Sequence, residues 1–206
     1  MTQTIKKERQ TFTDMVRVWL KGILDPIGQF LNRIGLTPNM ITMTGLVGHI
    51  LAAAAAANGR ISTAGWLIFF LGPVDALDGT MARLRGESSQ WGAFVDSVVD
   101  RYSELFIFGG LIYYFSVQGS TNGVLFAYLA ASGSVLVSYV RARAQSLGFD
   151  TKVGLFSRFE RYLVLVPSLV FNFPLIGLAI LAIGSHLTAL QRVIAMRRQA
   201  HEGSRQ

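Results

Sequence analysis

Six apolar runs joined by very short turns fix most of what this 206-residue chain can become. The first opens at Thr37-Pro38 and runs to Ala57, the second begins at Ile61, the third ends at Val117, and the fourth covers Gly123 to Val140. The fifth and sixth, Leu155 to Phe171 and Leu175 to Leu190, are parted only by Asn172-Phe173-Pro174. A helix rises about 1.5 Å per residue, so each run matches a hydrocarbon core roughly 30 Å thick. Turns as short as Asn58-Arg60, Gln118-Asn122 and Asn172-Pro174 make neighbouring runs antiparallel hairpins. Hydrophobic residues make up 51% of the chain, more than a soluble domain of this length ordinarily carries. The expected fold class is therefore all-α integral membrane, with six transmembrane helices.

Basic residues give the orientation. Of the 19 Lys and Arg, Arg60 alone falls on the side of the three short turns. The rest lie in or toward the N-terminal segment, the Arg83-Ser89 loop, the Arg141-Arg161 connection and the C-terminal tail. This positive-inside bias places both termini in the cytoplasm of a multi-pass protein of the cell membrane. Met1 to Gln10 is polar and basic and lacks a leader pattern, which agrees. The net charge of +7 thus traces one membrane face, and no nucleic-acid partner is expected. With no cysteine, disulfides, thiolate nucleophiles and thiolate metal sites are excluded.

Between Phe12 and Ile34 apolar residues recur every three or four positions, while Arg17, Lys21, Gln29 and Arg33 fall elsewhere. That pattern predicts an amphipathic helix lying flat in the membrane interface. Asp25-Pro26 reads as a cap followed by a first-turn proline, which predicts two short helices there rather than one. The expected organisation is an interfacial segment over 1–35, a six-helix catalytic unit over 36–198 and a cytoplasmic tail over 199–206.

Four carboxylates interrupt this apolar pattern. Asp75 and Asp78 lie roughly 21 to 26 Å down the second span, and Asp96 and Asp100 roughly 25 to 32 Å down the third, counted from their outer ends. Spacings of three and four put each pair on one helix face, and the hairpins bring the faces to one depth near the cytoplasmic boundary. Four anions in a poor dielectric need a compensating cation, and charged groups at such depth are usually functional. Oxygen-only ligands at this density suit a hard divalent ion, Mg2+ with Mn2+ as the alternative, and two such ions make a phosphoryl-transfer site. Gly79 and Ala82 leave room for a ligand, and Arg83 offers a fork of donors to phosphate. Gly72-Pro73 should loosen the helix just ahead of Asp75.

Written out, these residues read D-x2-D-G-x2-A-R-x8-G-x3-D-x3-D from Asp75 to Asp100. The stretch resembles, at every fixed position, the signature of the CDP-alcohol phosphotransferase family. The resemblance implies a membrane enzyme of phospholipid biosynthesis, usually a homodimer. It transfers a substituted phosphate from a CDP-linked donor, here CDP-diacylglycerol, to an alcohol and releases CMP. It further implies that Asp75, Asp78, Asp96 and Asp100 bind two Mg2+ ions and that Asp100 deprotonates the acceptor. Gly79, Ala82 and Arg83 would line the CDP site, together with Asn39 and Thr42, whose N-x2-T spacing is also similar to the family's.

The acceptor is approached through arginine. Counting back from Asn172, Arg161 lies roughly 17 Å and Arg158 about 21 Å into the fifth span, too deep for an ordinary headgroup flank. Arg141 and Arg192 stand at the matching ends of the fourth and sixth. Such a cluster suits an acceptor that itself carries phosphate. Ser138 to Ala144 followed by Gly148, and Arg158 to Arg161, are similar to the inositol-phosphate-using branch of the family. That branch commonly has lysine where Arg141 stands, so glycerol 3-phosphate is the alternative acceptor to inositol 1-phosphate. A divalent-cation transporter is the alternative of another class, but it would favour acids near the midplane, access from both faces and repeat symmetry. His49 and His186, in apolar spans without partners at ligand spacing, are read as packed side chains.

Overall fold

The structure, a computed structural model, describes residues 12–87, 89–149 and 153–203, with side chains from residue 22 onward except those of Ser88, residues 150–152 and Gly203. Its regular structure is entirely helical: α1 (Phe12–Arg33), α2 (Pro38–Ala57), α3 (Ile61–Arg85), α4 (Gln90–Val117), α5 (Thr121–Ser146), α6 (Arg158–Val170) and α7 (Pro174–Gly203). Local chemistry explains most boundaries. Thr37 accepts from the Met40 amide and Pro38 occupies the first turn of α2. Ser89 caps α4 through the Gly92 amide, and Ser120 caps α5 through Gly123. Each of the three short turns reverses at a residue with positive φ, namely Gly59, Gly119 and Asn172, and Gly86 ends α3 in the left-handed region.

Helices α2, α3, α5 and α7 are long and apolar enough to cross a membrane, and the chain is an all-α, multi-pass membrane protein. The long α4 carries Asp96, Asp100 and Glu104 ahead of its apolar stretch, and α6 has 13 residues, which is about 20 Å of helix. The run from Leu155 was expected to be helical throughout, but residues 153–157 are irregular and α6 starts at Arg158. Here Gly154 sits at φ +122° against Thr188, and the Phe156 amide donates to the Thr188 hydroxyl, so tertiary bonds hold the segment out of the helix.

A second expectation also fails. Instead of two short helices around Asp25-Pro26, α1 is continuous with Pro26 inside it. Proline removes one N–H and its ring crowds the carbonyl four residues back, yet the chain stays helical across Pro26.

Neighbour contacts close a ring in the order α2, α3, α6, α7, α5, α4 and back to α2, while α1 lies outside against α3. Lipid tails supply no hydrophobic drive between helices, so close approach at small residues matters. Ala52, Ala53 and Ala56 are buried, and Gly110 of α4 lies directly on the Ala53 carbonyl of α2. A methyl group at Gly110 would overlap that carbonyl, whereas one at Gly109 meets nothing within 4 Å. Gly110→Ala should cost about 1–3 kcal/mol by overpacking, seen as a lower unfolding midpoint in detergent, with Gly109→Ala as the silent control.

Helix α1 docks through Leu24, Gly28 and Leu31 onto the last turns of α3. Arg85 donates to the Asn32 side chain at 2.6 Å and to the Leu36 carbonyl at 2.6 Å, and Asn32 donates to Met81 at 3.2 Å. This latch sits over the stretch of α3 that carries Asp78 and Gly79.

Candidate active site

The acid pairs converge. Asp75 and Asp78 come from α3 and Asp96 and Asp100 from α4, and one guanidinium joins the helices. Arg158, at the first position of α6, donates to Asp75 at 2.7 Å and to Asp100 at 2.5 Å. Asp96 lies within the field of Asp75, Asp78, Asp100 and Arg158. Asp78 is buried, accepts from the Thr42 hydroxyl at 2.6 Å and from the Gly79 amide at 2.5 Å, and so ties α2 to α3. The equal depth counted along the two helices thus places the acids side by side.

A carboxylate set already bridged by one cation has the charge and donor chemistry of a hard divalent-ion site. Among the described residues no three acidic or imidazole side chains are gathered as a finished cage, because Arg158 lies between Asp75 and Asp100. The donors fit the ion, and the guanidinium must move for all four to share it.

Next to the acids is open room. A side-chain carbon at Gly79 would meet only Arg83, at 3.7 Å. Arg83 is exposed and donates to Thr80 at 2.9 Å, Asn39 is exposed, and Ala82 is partly so. Gly79, Ala82 and Arg83 share this C-terminal end of α3. Thr42 does not face it with a free hydroxyl, since Asp78 and the Pro38 carbonyl take its bond.

The arginines divide. Arg161 is 4% exposed and donates to Glu104 at 2.7 Å and to the Phe156 carbonyl at 3.3 Å. Arg192, equally buried, donates to the carbonyls of Val137 at 2.6 Å and Val153 at 3.0 Å. Arg141 is exposed and, with Arg161, stands close enough to Arg192 to repel it. Three guanidiniums from α5, α6 and α7 therefore neighbour one another, with Arg158 one turn from Arg161.

Glu104 escaped the sequence reading. It accepts from Arg161 and, at 2.7 Å, from Ser134, and Arg101 lies 3.7 Å away. Its signal was its place four residues after Asp100, on the face that already holds Asp96. Glu160, the acid beside Arg161 in sequence, bonds Ser157 instead. A cavity of about 60 Å³ behind the acids is lined in part by Asp75, Glu104, Arg158, Arg161 and Tyr162. His49 and His186 bond the backbone carbonyls of Gly45 at 2.8 Å and Leu129 at 3.2 Å, as packed histidines do.

Residues 35–194 match the family model of the CDP-alcohol phosphatidyltransferases. The chain belongs to this family. Among its relatives, a phosphatidylinositol phosphate synthase of Cutibacterium acnes is 36% identical over 198 residues, covering 87% of this chain and 94% of that one. An archaetidylinositol phosphate synthase of Methanothermobacter thermautotrophicus is 32% identical over 191 residues, covering 90% and 94%. Crystal structures of Mycobacterium tuberculosis phosphatidylinositol phosphate synthase superpose with a TM-score of 0.79. The one with CDP-DAG bound is 28% identical and covers 84% of this chain and 93% of that one. The one in complex with manganese and citrate is 27% identical, covering 84% and 88%. The phosphatidyltransferase signature and the converging acids thus fall within one matched span.

Proposed function

We propose that this chain transfers the phosphatidyl group of CDP-diacylglycerol to inositol 1-phosphate and releases CMP. The observation that carries this reading is the meeting of Asp75 and Asp100 on Arg158, which puts acids from two helices and a guanidinium from a third at one point. Relatives that use inositol phosphate over nearly the same length support the acceptor.

In the reaction the acceptor hydroxyl oxygen bonds to the phosphorus that bears the diacylglycerol. The bond from that phosphorus to the CMP oxygen breaks, and the hydroxyl proton passes to Asp100. Asp75, Asp78, Asp96 and Asp100 would hold two divalent ions, Mg2+ or Mn2+, which draw charge from the diphosphate and ease the departure of CMP. A carboxylate engaged on one oxygen is a weak base there, so Asp100 takes the proton on its other oxygen. Gly79, Ala82, Arg83 and Asn39 receive the nucleotide at the open end of α3, and Thr42 holds Asp78 in place for it. Arg141, Arg158, Arg161 and Arg192 hold the acceptor phosphate, Arg158 and Arg141 by contact and the two buried arginines chiefly through their field.

The catalytic unit is 36–198, flanked by the segment 1–35 and the tail 199–206. Helices α2 to α7 all cross, α6 completing its passage with the irregular residues before it. Beside its docked stripe α1 exposes Ile23, Ile27 and Phe30, with Ile34 just past its end, an apolar face suited to lie in the cytoplasmic interface. Orientation follows the basic residues, and two copies form the working dimer.

Purified protein given equimolar inositol 1-phosphate and glycerol 3-phosphate should convert the first in at least about tenfold excess, a discrimination of the size that a few polar contacts supply. Preference for glycerol 3-phosphate would replace the acceptor while keeping the family chemistry. Chelation should abolish CMP release, and Mn2+ or Mg2+ should restore it.

A further inference from the structure

Helix α3 contains a backbone defect two residues before Asp75. Pro73 has no N–H, so the Phe69 carbonyl loses its partner within the helix. Inside lipid such a group must be satisfied by something else. The Tyr162 hydroxyl of α6 supplies it, standing 2.8 Å from both the Phe69 and the Ile68 carbonyls. The phenol lies against the backbone at Gly72, so the side chain is inserted beside the hydrogen-bond ladder of α3. A side-chain carbon at position 72 would overlap the phenol, so the inserted ring requires glycine there or must move.

Tyr162 lies one helical turn after Arg158 on the same face of α6. The inserted phenol and the Arg158 guanidinium therefore reach α3 together, at the defect and at Asp75. We infer that Tyr162 is a positioning residue for the reaction: by filling the Pro73 defect it fixes the level of Asp75 on α3 against Arg158 and Asp100. The side chain touches no reacting atom. Its bearing on turnover rests on the proposed phosphatidyl transfer, but its bearing on α3 does not.

A double-mutant cycle on the full-length protein tests this, using Tyr162→Phe, which removes only the hydroxyl, and Pro73→Ala, which restores the missing N–H. The expected result for Tyr162→Phe is a fall of about tenfold in kcat, the size of losing a bond to a buried carbonyl, with KM for CDP-diacylglycerol within about twofold. Hydrogen exchange at the Gly72 amide should accelerate in the same variant. On the Pro73→Ala background the ladder can close without the phenol, so Tyr162→Phe should cost less than about twofold and leave exchange slow. Equal costs on both backgrounds, an effect on KM alone, or unchanged Gly72 exchange would overturn the inference. Absence of CMP release from the unsubstituted protein would sink the proposed function instead, and the exchange measurements alone would then decide the role of Tyr162.

Discussion

Asp100→Asn is expected to lower turnover by about a thousandfold while leaving most CDP-diacylglycerol binding in place, because general-base catalysis is worth about 10²–10⁴. Asparagine keeps the shape of aspartate but cannot take the acceptor proton. Asp100 is buried where α4 meets α6, bonded to Arg158 at 2.5 Å with Arg101 3.5 Å away, and the amide oxygen can still accept from Arg158. Binding should therefore survive better than catalysis. Measured CMP release and equilibrium binding of CDP-diacylglycerol separate the two. Loss of both in equal measure would make Asp100 a ligand only and move the proton elsewhere.

Glu104→Gln should damage the fold itself. Glu104 is the acid partner of Arg161, which is 4% exposed and whose Nε has no hydrogen-bond partner. Removing one member of a buried ion pair leaves the other uncompensated and costs about 3–5 kcal/mol. Against total stabilities of about 5–15 kcal/mol, that loss should show as a large drop in unfolding midpoint. Replacing both residues by leucine should recover much of it, since paired apolar groups avoid the desolvation cost. The recovered protein also reports on the acceptor: a raised KM for inositol 1-phosphate in the double variant places the Arg161 field in the acceptor pocket. An unchanged KM removes it from that role.

Both expectations show what one sequence can and cannot carry. Turn positions, helix caps and the shared depth of the four aspartates were legible because each follows from local spacing: Thr37-Pro38 starts α2, and three residues at positive φ reverse the chain. Depth could place Arg158 and Arg161 beside the acids. It could not choose their partners, because the direction of a side chain depends on which helix packs against it. Hence Arg158 meets Asp75 and Asp100 while Arg161, one turn on, meets Glu104. Of the two misplaced boundaries, α1 runs on through Pro26, while residues 153–157 stay irregular because Thr188 of α7 holds them, a contact outside the local window that outweighs a local rule. Tyr162 was hidden the same way. The Gly72-Pro73 signal predicted a weakness in α3, but only the fold shows what fills it.

The central claim is that α3 and α4 bring their aspartates together around divalent ions. A crystal structure with manganese and CDP-diacylglycerol, read by anomalous scattering, tests it most directly. The account predicts two manganese peaks held by Asp75, Asp78, Asp96 and Asp100 against the diphosphate, with Arg158 drawn away from the acids. A map without manganese under saturating metal, in which Arg158 still bridges Asp75 and Asp100, would contradict it.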